Sequence, residues 1–340
     1  MSGSLGSWVD LQYRRSVVAM LRGISAVDIE KSRPGFGQRV RAARGSVVAS
    51  IVLADWDPEP DYFFHWYRDS AIVIDALRVL HEAGDLGAEA VAHFADFVRF
   101  SLALDRLDGR DLLRDSADRQ ERTQAGFRRF LRDDEDLAAV RGERVMADTR
   151  VNPDGTLDLS KWARPQYDGP PLRALAVLRW LDHLDQADPK LAADAAELVR
   201  ADLDFTRRHW GEASFDIWEE ERGQHYYTQR VSAAALELGA GWCQAQNDVE
   251  RAADCSAQAR AALARLDSYW LGEAGHYRSR VLPQDLRSAK DLDIAVIFSA
   301  IHAGATSGPH SVLDPRMQRT LTRLEALFSN LYAINRNRVA

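Results

Sequence analysis

Apolar residues recur at steps of three and four through most of the chain, the period of a helix with one buried face. Such segments run roughly over residues 8–23, 70–83, 87–106, 171–186, 190–209, 227–246, 249–270, 289–303 and 316–333. Ile72, Val73, Ala76 and Leu80 illustrate the spacing. Asp69 and Ser70 precede them and read as a cap for the exposed N–H groups of a helix start. Pro170-Pro171 suits another helix entry, because a first-turn N–H has no partner to lose. The main strand-like run is Ser46–Leu53 (SVVASIVL), too little to build a sheet. Helices joined in pairs, with elaborate loops after alternate ones, predict a closed ring of α-hairpins. The long connection over about 108–169 is expected at one mouth of that ring, and loops of this length in a compact domain are usually functional or disordered. No linker divides the chain, so one domain is expected over residues 1–340.

Composition narrows the partners. Of 340 residues, 46% are hydrophobic and 28% charged, which fits a globular chain with a sizeable core. A net charge of −7 disfavours a phosphate backbone as ligand. No run is long and apolar enough for the roughly 20 residues a membrane span needs, and no secretory signal is visible between Met1 and Arg14. Cys243 and Cys255 alone are no disulfide framework, which points to a reducing, cytoplasmic setting. The mixed charges of Asp105–Arg144 read as a solvated surface. Phosphate-loop, zinc-protease and paired-cysteine motifs are missing, so neither metal nor cofactor is expected.

Four constellations carry candidate chemistry. The first, Pro60–Ser70 (PDYFFHWYRDS), packs five aromatics around Arg68 and Asp69. Sugars need this combination: rings stack on the C–H face of a pyranose while Arg and carboxylate take up its hydroxyls. A hydrophobic helix entry with an ordinary ion pair would look the same. The second, Trp162–Pro170 (WARPQYDGP), joins a Trp-Arg pair to a turn. The third, Phe215–Glu221 (FDIWEEE), sets four carboxylates beside Trp218. Crowded like charges and an adjacent indole raise a carboxyl pKa, as a general acid requires, and Glu219 follows the indole directly. A solvated acidic loop is the competing account. The fourth, Arg287–Asp291 (RSAKD), puts cations at a helix start, where the helix dipole prefers anions. Ligand binding would explain them, and so would surface exposure. His65 reads as a hydrogen-bonding neighbour rather than a catalyst.

In this order, and with Ser46–Ser50 (SVVAS), the Ser299–His302 block and Leu331–Asn335, these blocks resemble glycoside hydrolase family 15, the glucoamylases. The resemblance implies an all-α (α/α)6 toroid and an exo-acting, inverting hydrolase that releases glucose from the non-reducing ends of α-1,4-glucans or related α-glucosides. It makes Tyr62, Trp66, Arg68 and Asp69 the lining of a terminal-glucose pocket and Trp162 a ring packed beside the acid. Glu219 becomes the general acid and Glu220 a contact to the next glucose. Asp216 and Trp218 shape the acid's surroundings, and Arg287 binds hydroxyls near the scissile bond. Phe215 departs from the tyrosine common in the family, and Glu221 adds a charge where the fungal enzymes are apolar. The family's general base belongs to a block downstream of the Tyr-x-x-Asn segment. No carboxylate follows Glu325, so none is assigned as base, the last helices of the ring are expected to be missing, and very weak or no hydrolysis is expected of the chain as given. Alternatives of the same ancestry are a non-hydrolytic carbohydrate-binding or regulatory domain, like the phosphorylase kinase subunits that resemble this family, and a trehalase or dextran glucosidase.

Overall fold

The structure, a computed structural model, describes residues 5–53, 61–114, 116–184, 188–286 and 288–336. Among the described residues, helices stand at or near each segment the periodicity marks, some of them shorter than expected: α1 (Leu5–Arg22), α2 (Tyr67–Glu82), α3 (Ala88–Leu104), α4 (Gly169–Leu181), α5 (Pro189–His209), α6 (Tyr226–Ala245), α7 (Val249–Leu266), α8 (Ala295–Ala303) and α9 (Pro315–Leu331). The chain divides into two compact units: Met1–Trp162 with Arg179–Leu198, and Ala163–Leu178 with Val199–Ala340.

In the first unit α2 packs on α3. The buried Trp180 indole donates to the Ile74 carbonyl at 2.9 Å, and Phe94 stacks on its ring at 4.7 Å. Asp69 and Ser70 do not cap α2, contrary to the sequence reading. The helix starts at Tyr67, its cap position is Trp66, which makes no side-chain capping bond, and the Ser70 hydroxyl turns back to the Tyr67 carbonyl. Asp69 lies within the first turn, where its charge still suits the dipole. The run Ser46–Leu53 is not a strand. Its one ladder contact is an isolated bridge between Val47 and Ile24. Strands instead form where turns permit them: β1 (Glu30–Arg33) pairs antiparallel with β2 (Gln38–Arg41), and β3 (His65–Trp66) with β4 (Arg150–Val151). The connection over 108–169 carries short helices at Gly109–Leu113, Asp134–Ala139 and Glu143–Met146. Its charges are not all solvated, since Arg132 is buried and pairs with the buried Asp148 at 2.9 Å. Local charge patterning could not show this, because Asp148 comes from beyond the charged stretch.

The second unit is built on the α6–α7 hairpin, with α8 against α6 and α9 against α8. Its core includes Tyr226, Leu266, Tyr269, Tyr277, Val296, Ala300 and Met317. The buried Arg173 grips Asp202 with two parallel bonds, 2.9 and 2.8 Å, locking α4 to α5. Strands β5 (Ser214–Phe215), β6 (Arg222–His225), β7 (Trp270–Leu271), β8 (His276–Tyr277) and β9 (Arg280–Val281) follow. They form a β5–β6–β9 sheet and a β7–β8 pair. Among the described residues no helix is long and apolar enough to cross a membrane.

Candidate functional site

The carboxylate block is the hairpin loop between β5 and β6, residues 216–221, closed by pairing of Phe215 with Arg222 and Ser214 with Gly223. The Asp216 side chain holds it. Its Oδ1 accepts from the backbone N–H of Glu220 at 2.7 Å and of Glu221 at 3.1 Å. Main-chain bonds from Glu219 N to Asp216 O (2.9 Å) and from Asp216 N to Glu221 O (3.2 Å) complete the turn. Glu219, half-buried, sits in the left-handed region at φ 64°. A non-glycine residue pays strain there and stays only where its surroundings over-determine it. Upstream, Pro165 accepts from Phe215 N at 2.9 Å, and the buried Gln166 amide reaches the Asp216 carbonyl at 3.4 Å.

Strand register places the main cation. β6 pairs with β9 so that His225 faces Arg280, and Gly223 permits the approach, since a Cβ there would lie 2.8 Å from the Val281 carbonyl. Arg280, buried, bonds Asp216 Oδ2 at 2.9 Å, Glu221 Oε2 at 2.6 Å and Asp293 Oδ2 at 2.9 Å. Asp293 also accepts from the Trp218 indole at 2.9 Å and from Ala295 N at the start of α8. Glu221 accepts from the Ser288 hydroxyl at 2.7 Å, and that bond, ahead of Arg280, holds its carboxyl below the usual range. The neighbouring Asp216 charge pushes Glu221 the other way and is outweighed. Glu220, exposed, pairs with Lys290. Three of the four carboxylates thus carry named cations, and Trp218, 41% exposed, has its N–H committed to Asp293.

Arg287 lies outside the described residues. Its neighbour Ser288 is in irregular chain and Lys290 in a turn ahead of α8, which begins at Ala295 rather than at 289.

In the first unit the structure gathers Tyr62, Trp66 and Trp162. Tyr62, 44% exposed, lies 5.7 Å from the Trp66 ring, and Trp162 meets Trp66 edge-on at 6.2 Å. Trp66 pairs with Arg150 across β3–β4. That buried guanidinium sits 3.6 Å from the Trp162 centroid, 4.7 Å from Trp66 and 4.0 Å from Phe64. It bonds Asp158 Oδ2 at 2.8 Å and Ser160 Oγ at 3.0 Å. Arg68 Nε stands 3.4 Å from Asp69 Oδ2, with the Asp69 side chain 39% exposed and Arg68 largely covered. His65 is buried, and its Nδ1 accepts from Val47 N at 3.0 Å, as a hydrogen-bonding neighbour would.

Sequence reasoning missed Arg150, Arg280 and Asp293. Arg150 follows the apolar Val145, Met146 and Ala147, and Arg280 lies between Tyr277 and the apolar pair Val281-Leu282, so each is a charge beside apolar residues. That was the available signal. Among the described residues no cluster of His, Cys, Asp and Glu could hold a metal ion.

Comparison with solved structures shows the fold. The glucoamylase of Saccharomycopsis fibuligera matches with a TM-score of 0.74 at 23% identity, over 99% of this chain and 66% of that one. The Hypocrea jecorina glucoamylase matches at 0.76 and 19%, over 99% and 50%. The fold class is therefore that of these glucoamylases, the all-α (α/α)6 toroid expected from the sequence. The model of glycosyl hydrolases family 15 matches residues 147–340, and the chain belongs to that family. The intracellular sporulation-specific glucoamylase of Saccharomyces cerevisiae is 26% identical over 336 residues, 93% of this chain and 55% of that protein. Glucoamylase 1 of Rhizopus oryzae is 25% identical over 340 residues, 99% and 48%. The chain spans about half the length of the curated relatives it matches.

Proposed function

We propose that this chain serves an exo-acting, inverting hydrolysis of α-1,4-glucans or related α-glucosides, with glucose leaving from the non-reducing end, and that residues 1–340 belong to a single catalytic domain. Tyr62, Trp66 and Trp162 supply the stacking surface for the terminal glucose, and Arg68 and Asp69 take its hydroxyls. Glu219 protonates the leaving oxygen. Asp216 and Trp218 shape the turn that holds it, while Glu220 and Arg287 contact sugar near the bond that breaks. An inverting reaction also needs a carboxylate roughly 6.5–9.5 Å from the acid to activate water, and that base is left unassigned. The setting proposed is the cytoplasm, supported by the free buried thiols of Cys243 and Cys255 and by the relative named intracellular.

The observation that carries the reading is the strained backbone at Glu219, inside the family match and clamped from both sides by Asp216. Positive φ also occurs at the exposed Gln284, so the angle at Glu219 counts together with the Asp216 bonds and the family match. The test is glucose release from maltooligosaccharides, with the anomer read by NMR. In a protein that also supplies the base, Glu219→Gln is expected to lower turnover about 10²–10⁴-fold, the scale of general acid catalysis, with maltose affinity little changed. Unaltered turnover would remove Glu219 from the role. Maltose binding by the wild-type chain without glucose release would favour the non-hydrolytic reading.

A further inference from the structure

The first unit contains a cavity of about 340 Å³ that the proposed reaction does not use. None of Tyr62, Trp66, Arg68, Asp69 and Trp162 lines it. It opens between the β1–β2 hairpin and the segment around 124–127, with Ser32, Pro34 and Gln124 exposed at its mouth. The walls are fixed. Gln124 N donates to the Gly35 carbonyl at 3.0 Å, and Phe127 packs edge-on to Phe36 at 5.5 Å. Gly35 admits that ring, since a Cβ there would come within 2.5 Å of it.

At the floor the Phe64 ring carries two guanidiniums, Arg33 at 3.9 Å and Arg150 at 4.0 Å from its centroid. Each is neutralised by its own carboxylate, Asp61 at 2.6 Å and Asp158 at 2.8 Å. Arg33 makes three bonds, to Asp61, Asn152 and the Phe63 carbonyl, out of the five N–H groups a guanidinium has. Asp61 accepts two, from Arg33 and Phe63 N, out of about four it can take. The pair therefore keeps a donor edge next to an acceptor edge. Adjacent hydroxyls on a ring ask for this arrangement, and Phe36 and Phe127 among the lining supply apolar surface for the ring's C–H groups. Arg33 and Arg150 are each paired at the floor, and the buried Lys31, which also lines the cavity, has an interaction of its own, so a neutral ligand is favoured over an ion. The volume is at the small end of ligand pockets, which run about 300–1,000 Å³.

We infer that this cavity is a second carbohydrate site, taking a neutral mono- or disaccharide, separate from the surface assigned to the terminal glucose. It stands on the cavity's own chemistry and does not depend on Glu219. The test is an NMR titration of the chain with maltose, following the Gln38 side-chain amide, which lines the cavity, and the Trp66 indole N–H, which does not. The Gln38 signal is expected to shift and saturate. The shift should persist in Tyr62→Ala, which removes an exposed ring of the other surface. It should fall at least tenfold in apparent affinity in Gln124→Trp, where a large side chain at an exposed position plugs the mouth and the backbone bond to Gly35 is untouched. A Gln38 signal that stays still in the folded protein overturns the inference, whether or not the indole responds. So does a maltose response that Gln124→Trp leaves intact, or saturation by inorganic phosphate where maltose has no effect.

Discussion

Arg150 and Arg280 are equally buried, at 1% and 2% exposure, yet they are kept in place by opposite materials. Arg150 is held by rings, with Trp162, Trp66 and Phe64 around its plane and one carboxylate at its edge. Arg280 is held by three carboxylates, Asp216, Glu221 and Asp293. A guanidinium is weakly hydrated and flat, so it can serve as a slab in an aromatic stack or as a charge hub. The first use stiffens a wall and leaves it nearly neutral. The second orders a loop whose acidic residues would otherwise repel one another.

Substitutions can break this contrast. Arg280→Met should have the largest effect. It strands Asp216 and Asp293 in the interior, and breaking a buried pair this way costs about 3–5 kcal/mol, read as a lower denaturant midpoint. Arg150→Lys keeps the charge but loses the flat stack, and a loss of about 1 kcal/mol is expected. If the lysine variant matched wild type in the same denaturation curves, the rings would not be what holds position 150.

The pH response sharpens the loop side. Glu221 has its folded-state pKa depressed, so the unfolded chain takes up the proton first as pH falls. The contribution is complete above the ordinary carboxylate range near 4.5 and is lost as pH drops through that range toward the folded value. Ser288→Ala removes the first cause, and the Glu221 titration followed by NMR should move up toward 4.5. The smallest effect belongs to Lys290→Ala. Its pair with Glu220 is about half exposed, and such pairs contribute roughly 0–1 kcal/mol. The unfolding midpoint should hardly change.

The same contrast explains what could be read from the chain. Helices α1–α9 announce themselves because burial of one face writes a local period into the residues. Aromatic and carboxylate blocks are legible for the same reason: Tyr62 and Trp66, or Asp216 and Glu221, are near neighbours in the chain. Arg280 reaches Asp216 across 64 positions, and Arg150 reaches Trp66 only through β3–β4 pairing of two residues each. Nothing periodic marks such contacts. Ser46–Leu53 failed as a strand because apolar β-branched residues describe a covered segment as well as a ladder, and this segment is covered in part, its Val48 packing with Ala26, Ala42 and Phe63.

The backbone angle at Glu219 has a consequence for evolvability in the laboratory. Glycine would sit at φ 64° without the roughly 1–2 kcal/mol that a side chain incurs in that region. A library of this loop sorted only for thermal resistance should therefore drift toward glycine at 219, and one sorted for sugar turnover should not.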